Sequence, residues 1–299
     1  MKVSIIGLGS MGLGAAINCY RAGHDVVGSD LNPAALKKFE LAGGRSSDQL
    51  ADAANSDALL IFVVNANQAE QILSESLLTS LAPDAVVINC VTITPAAAQG
   101  FAERVERIGL HYLDAPVSGG AAKAMTGDMS VMGSGSPRAF ERATPLLDAI
   151  ASKVFTLGTA AGDGSRMKTI NQLLAGVHIA AVAEAMALAG HLQMDLHRVL
   201  EVISECAGTS WMFENRGPHI ANGDYAPLSS VDIFVKDLGI VSDAAANHAS
   251  IPMTRTALEL FANASKTGMG QMDDSAVALL LARAAGVRLP GDPTAEEHA

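Results

Sequence analysis

The chain has 299 residues, about twice the length of a typical domain, so two domains with substantial hydrophobic cores are expected. With 49% hydrophobic and only 17% charged residues it is not a disordered chain, because burial of that much apolar side chain offsets the entropy of ordering. Its net charge of −11 argues against nucleic acid and against an anionic membrane, since both attract positive charge.

The predicted elements alternate from the start. An apolar strand, Val3 to Ile6, runs directly into Gly7-Leu8-Gly9-Ser10-Met11-Gly12, and a helix follows from Met11 to Ala22. A GxGxxG is weak evidence alone but strong between a strand and a helix. There Gly7 makes the tight turn, Gly9 lets a pyrophosphate approach the backbone, and Gly12 lets helix and strand pack closely. The second strand, Asp25 to Ser29, ends at Asp30, which would accept hydrogen bonds from ribose hydroxyls and repel a 2′-phosphate. With no arginine at Leu31 or Asn32, the pattern favours NAD over NADP.

Asn32-Pro33 opens the next helix, to Leu41. Strands follow at Ala58 to Val64 and Ala85 to Asn89, whose carboxyl ends carry Val63, Val64 and Asn65, and Thr92. These are candidate walls for the cofactor's nicotinamide side, because ligands of open α/β sheets sit beyond the carboxyl ends of strands. Thr92 either bonds the cofactor or caps the helix that begins near Pro95. After the strand His111 to Leu113 comes Asp114-Ala115-Pro116-Val117-Ser118-Gly119-Gly120. Here Ser118, Gly119 and Gly120 offer either a hydroxyl and amide cradle for a carboxylate or a flexible loop. Strands at Met129 to Met132 and Val154 to Leu157, separated by a helix from Pro137 to Ile150, complete a doubly wound sheet. Strands without polar alternation, separated by helices, imply parallel pairing covered on both faces.

The pattern then changes. Gly162-Asp163-Gly164 introduces a helix from Met167 to about His191, apolar nearly all round, which implies that it is enclosed, running through the second domain and into another subunit or the first domain. His178 and Glu184 interrupt it, so it falls short of a bilayer span. Lys168, Asn171 and Gln172 lie near its start, at spacings of three and four that put these side chains on one face. Lys168 is either an acid/base with a lowered pKa or a lysine reaching back to solvent. Further helices are predicted at Leu196 to Cys206, Ser230 to Asn247, Met253 to Thr267 and Ser275 to Ala285. The expected domains are therefore 1–161, dinucleotide-binding; 162–290, helical, for substrate binding and oligomerisation; and a mobile tail, 291–299.

The three cysteines, Cys19, Cys90 and Cys206, are too dispersed for a disulfide framework or a CxxC metal site, and no histidine pair has ligand spacing, so no metal is expected. Glycines interrupt the first apolar run before a signal-peptide core could form, and the expected compartment is the cytoplasm.

Four motifs in order, GLGSMG at 7–12 with Asp30, DAPVSGG at 114–120, GDGSRMKTIN at 162–171 and VKDLGI at 235–240, resemble the β-hydroxyacid dehydrogenase family over nearly the whole chain. The resemblance implies a Rossmann-type N-terminal domain followed by an all-α domain entered through a long interdomain helix. It implies that Gly7 to Gly12, Asp30 and Thr92 hold NAD and that Ser118 to Gly120 hold a substrate carboxylate. Lys168 is then the catalytic acid/base with Asn171 beside it, and Lys236, accompanied by Asp237, lies near nicotinamide and substrate. Two departures stand out, Lys123 in place of a common glycine and Gln172 in place of a common asparagine. Together with Ser210-Trp211-Met212-Phe213-Glu214-Asn215-Arg216 they resemble the branch that oxidises a four-carbon sugar acid. Lys123 contacts an extended substrate or points into water; Trp211 lines the substrate site or packs in a core. The substrate implied is a small hydroxy acid, and the protein is expected to be a homodimer or homotetramer. Oxidation of 3-hydroxyisobutyrate and reduction of a tartronate or succinic semialdehyde remain alternatives, as does a non-catalytic dinucleotide-binding regulator. An imine reductase would not be expected to place lysine at 168.

Overall fold

In the computed structural model, residues 1–246 and 249–292 are described. The chain divides into two compact units, Met1–Thr169 and Ile170–Ala299. The division falls later than the glycine-rich break at 162 suggests.

The first unit is built on one sheet. In chain order it contains β1 (Lys2–Ile6), α1 (Gly12–Arg21), β2 (Asp25–Ser29), α2 (Pro33–Leu41), β3 (Arg45–Ser47), β4 (Ala58–Ile61), α3 (Ala66–Ile72), α4 (Glu75–Leu78), β5 (Val86–Asn89), α5 (Pro95–Glu106), β6 (His111–Asp114), β7 (Val117–Ser118), α6 (Gly120–Thr126), β8 (Met129–Gly135), α7 (Pro137–Ile150) and β9 (Ala151–Gly158). The strand order is β3-β2-β1-β4-β5-β6-β8-β7, with β9 beside β8. From β3 to β6 every pair is parallel, and the order reverses between β1 and β4, the switch point of a doubly wound sheet. Beyond β6 the pairing differs from a uniformly parallel sheet, because β8 runs antiparallel to both β6 and β7. Strand β9 then pairs parallel with β8, so β8 marks the change of direction within the sheet.

Alternate residues of each strand feed opposite cores. Ala58 and Leu60 pack with Ala15, Ala16, Ile17 and Phe39, on the side of α1 and α2. Leu59 and Ile61 pack with Ile72, Leu73, Phe101 and Val105, on the side of α3 and α5. Both faces are apolar because both are covered, which is why these strands lack polar alternation. Helix α1 meets α6 backbone to backbone: a Cβ on Gly14 would lie 2.4 Å from the carbonyl carbon of Ala124, and Asn18 Nδ2 donates to Ala124 O at 2.9 Å.

The second unit is helical, with the long helix α8 (Asp163–His191), which begins in the first unit, then α9 (Leu196–Ser204), α10 (Trp211–Asn222), α11 (Val231–Ala245), α12 (Pro252–Ala264) and α13 (Val277–Ala284). Its core joins Ile179, Val182 and Met186 of α8 to Phe213, Phe234, Leu238 and Phe261, with the rings of Phe234 and Phe261 stacked at 5.3 Å. Helix α8 is not enclosed on every side: Ile170, Leu174 and Leu188 are each at least half exposed. It is also long and apolar enough, by composition alone, to cross a membrane, and half of that stretch is buried inside the protein. The core helix of a soluble protein passes the same test. Part of the tail expected to be mobile is held: Asp292 is buried and pairs with Arg283 through bonds of 2.6 and 3.0 Å. Residues 293–299 of that tail, and Asn247 at the end of the helix expected to start at Ser230, lie outside the described residues.

Cys19 and Cys90 are buried in the first core, and burial pushes the Cys19 thiol up to about 12 and that of Cys90 in the same direction. Cys206 is exposed. In the folded protein, a thiol-titrating disulfide reagent is expected to react promptly with Cys206 and with Cys19 and Cys90 only after denaturation. Three fast thiols would contradict this packing.

Candidate active site

The turn after β1 has the shape its glycines require. Gly7 has φ +95°, its N–H donates to Ser29 O at 2.8 Å, and a Cβ there would stand 2.7 Å from Phe62 O. A Cβ on Gly12 would lie 1.8 Å from Gly7 O, so no side chain is possible at either position while the turn survives. Gly9 has nothing within 4 Å of the corresponding point, and Gly9 and Ser10 are exposed. Met11 precedes an α1 whose start has neither a side-chain cap nor an acidic first-turn residue, leaving its positive dipole end turned to the loop.

Asp30 holds this turn together. Its carboxylate accepts from Leu8 N at 2.6 Å and from Asn32 N at 2.8 Å, while retaining lone pairs for ribose hydroxyls. Leu31 is exposed and Asn32 caps α2 by accepting from Ala34 N. Open space over Gly9, the positive dipole end of α1 and an anchored acid fit a dinucleotide with free ribose hydroxyls.

Val63, Val64 and Asn65 follow β4 at the switch point. Asn65 is occupied locally, because its Oδ1 caps α3 by accepting from Gln68 N at 2.9 Å, and Val64 N donates to Gln68 Oε1 at 2.8 Å. Thr92 lies beyond β5 and does not cap α5. Thr94 does so by accepting from Ala97 N at 3.2 Å.

The end of β6 carries the group that sequence reading overlooked. Asp114 is fully buried and accepts from Gly162 N (3.0 Å), Ser165 N (2.9 Å), Ser165 Oγ (2.8 Å) and Ser134 Oγ (3.2 Å). Burial pushes its carboxyl pKa up, and these donors pull it back. The first turn of α8 is thereby fastened to the sheet, which is why the first unit extends to Thr169. One turn further along α8, Lys168 is buried and its Nζ donates to Val117 O at 2.9 Å. That rules out a lysine side chain reaching to solvent.

Val117 and Ser118 form β7, and the chain then turns through Gly119 (φ +133°) and Gly120 (φ +71°) into α6. A Cβ on Gly119 would lie 2.9 Å from Lys123 Cβ and Cδ, so the hydrocarbon stem of exposed Lys123 folds over this glycine. Ser118, Gly119 and the Lys168 amine are thus brought to one strand end, through Val117.

A second polar cluster sits in the helical unit. Gly176 lets α11 approach α8, since a Cβ there would be 2.7 Å from Leu238 Cδ2. One turn before Gly176, Gln172 Nε2 donates to Asp237 Oδ2, and Gln172 Oε1 accepts from Asn171 Nδ2 at 2.8 Å. Lys236 Nζ is 2.9 Å from Asp237 Oδ1. Trp211, the first residue of α10, is half exposed and not part of the core. Among the described residues no group of three or more His, Cys, Asp or Glu side chains is placed to hold a metal ion.

Residues 2–158 match the family model for the NAD-binding domain of 6-phosphogluconate dehydrogenase, and residues 162–289 match that for the NAD-binding region of NADP-dependent 3-hydroxyisobutyrate dehydrogenase. The L-threonate dehydrogenase of Escherichia coli O6:H1 is 50% identical over 294 residues, 97% of this chain and 96% of that protein. The enzyme of the same name from Cupriavidus necator is 47% identical over 97% of this chain and 98% of its own. A crystal structure of 3-hydroxyisobutyrate dehydrogenase from Salmonella typhimurium superposes with a TM-score of 0.90 at 48% identity, covering 94% of this chain and 99% of that one.

Proposed function

The chain belongs to the 3-hydroxyisobutyrate dehydrogenase family of NAD(P)-dependent hydroxyacid dehydrogenases, and on that footing we propose that it oxidises the four-carbon sugar acid L-threonate to its 2-oxo acid, with NAD as acceptor. The observation that carries the chemistry is the buried Lys168 amine tied to the strand that continues into Ser118 and Gly119. The substrate assignment rests on relatives half identical over nearly their whole length. The choice of NAD rests on Asp30, whose charge disfavours a 2′-phosphate.

The cofactor supplies the two-electron acceptor, held by residues 7 to 12, Asp30 and the strand ends at Val63, Val64 and Thr92. Ser118, Gly119 and Gly120 bind the substrate carboxylate, and Lys123 adds positive charge beside them. Lys168, in its neutral form, takes the proton from the substrate hydroxyl as the carbon is oxidised, and returns it in the reverse reaction. Asn171 orients the reacting oxygen, Lys236 stabilises negative charge, and Trp211 offers an apolar wall to the carbon chain. We further propose a cytoplasmic homodimer or homotetramer, in which the exposed Ile170, Leu174 and Leu188 of α8 are covered by another subunit.

The test is a panel of L-threonate, D-erythronate, 3-hydroxyisobutyrate and D-glycerate with NAD and with NADP, followed by absorbance of the reduced nicotinamide, with tartronate semialdehyde run in reverse. L-threonate with NAD is expected to have the highest kcat/KM. Cofactor binding without turnover of any acid would replace the enzyme reading with that of a binding module.

A further inference from the structure

The amide of Gln172 fixes which end of the Asn171 side chain is available for chemistry, and we propose that Gln172 is a positioning residue for the reaction. The inference rests on the proposed role of Asn171. An ionised carboxylate only accepts hydrogen bonds, so Asp237 Oδ2 requires the NH2 end of Gln172 to face it. The carbonyl of Gln172 is then turned toward Asn171, where it accepts from Nδ2 at 2.8 Å. That bond in turn points the Asn171 NH2 group at Gln172, engaging one of its two N–H donors, and leaves Asn171 Oδ1 on the side away from Gln172. The chain of orientation therefore runs from Asp237 through Gln172 to Asn171, each link set by donor and acceptor chemistry.

Burial makes the chain rigid. Gln172 is 7% and Asp237 2% exposed, so water does not compete for the bond between them, and reversing either amide would set donor against donor or acceptor against acceptor. The close approach of α11 at Gly176 brings Asp237 within reach of a side chain as long as glutamine. Asp237 also pairs with Lys236, so one carboxylate orders both an amide and an ammonium group.

The test is a double-mutant cycle with Gln172→Met, which keeps length and removes both polar ends, and Asn171→Ala. Gln172→Met alone is expected to lower kcat by roughly 10- to 100-fold, the size of effect that misplacing a reacting group produces. In the Asn171→Ala background it is expected to change kcat by about twofold or less, because its partner is already gone. Multiplicative losses, or no loss in either single variant, would overturn the proposal. A readout independent of turnover comes from 15N NMR of side-chain amides. Gln172→Met is expected to shift the Asn171 NH2 resonances and speed their exchange with water, while Gln172→Asn, one methylene shorter, restores them only in part. Unchanged Asn171 resonances in Gln172→Met would also overturn the proposal. NMR shifts of the expected kind without turnover of any hydroxy acid would leave the orientation intact and reject the proposed activity instead.

Discussion

Replacing Lys168 with alanine is expected to lower kcat by about 10² to 10⁴ while leaving the dissociation constant for NAD unchanged. The lysine is buried and its amine reaches Val117 O rather than the cofactor turn, so its removal takes away a proton acceptor without touching residues 7 to 12 or Asp30. Lys168→Arg is a sharper version of the test. Guanidinium stays protonated at any working pH, so the arginine variant keeps the charge, loses the base, and is expected to be as slow in oxidation as the alanine variant. Steady-state kinetics with the preferred acid and a fluorescence titration with NAD measure the two quantities separately. An unaltered kcat in Lys168→Ala would remove lysine from the mechanism.

The second large effect concerns stability. Arg216 of α10 and Asp274 are both buried and joined by two bonds, Nε to Oδ1 at 2.5 Å and Nη2 to Oδ2 at 2.9 Å. Arg216→Met leaves a carboxylate enclosed without its counter-charge, and a loss of about 3 to 5 kcal/mol is expected. That corresponds to a drop in Tm on the order of 10 °C for the helical unit. Arg216→Met combined with Asp274→Leu is expected to recover most of it, because neither charge is then buried alone.

The pH dependence has a definite sign. Burial already pushes the Asp274 carboxyl up to about 6, and loss of Arg216 raises it further. Between the unfolded and folded pKa values the folded state binds more protons, so stability falls as pH rises through that interval. The deficit of Arg216→Met should therefore be smaller at pH 5 than at pH 8 in thermal melts. A deficit that grows on acidification would contradict the pairing.

How much of this was legible in advance differs from element to element. The glycine turn and Asp30 were readable because their causes are local: a strand, a positive φ and a helix start lie within one stretch of chain. The strands β4 and β5 were readable for the same reason, through continuous apolar runs. The short pieces β3, β7 and α6 were not, since two to seven residues carry no period, and Gly119-Gly120 at the start of α6 looks like a loop. Helix α10 escaped because Pro218 and its polar residues hide an apolar face that only Phe213 and Ile220 reveal. The site's supporting bonds were beyond reach altogether. Asp114 is satisfied by donors 20 to 51 residues away, and Gln172 by an acid 65 residues away, so the residues could be named as parts of motifs but not joined. Asn65 shows the converse: a side chain at the right strand end is engaged by the helix that follows it.

The backbone contact between α1 and α6 sets a limit on how this protein can be altered. At Gly14 the helix that opens on the cofactor turn touches Ala124, just past the Ser118 to Gly120 loop, and Asn18 is bonded to the same carbonyl. Exchanging the 118–126 segment for that of a relative with another substrate would carry a new surface onto α1. Such grafts should succeed only when α1 is transplanted with the segment, so that the two are inherited as one cassette.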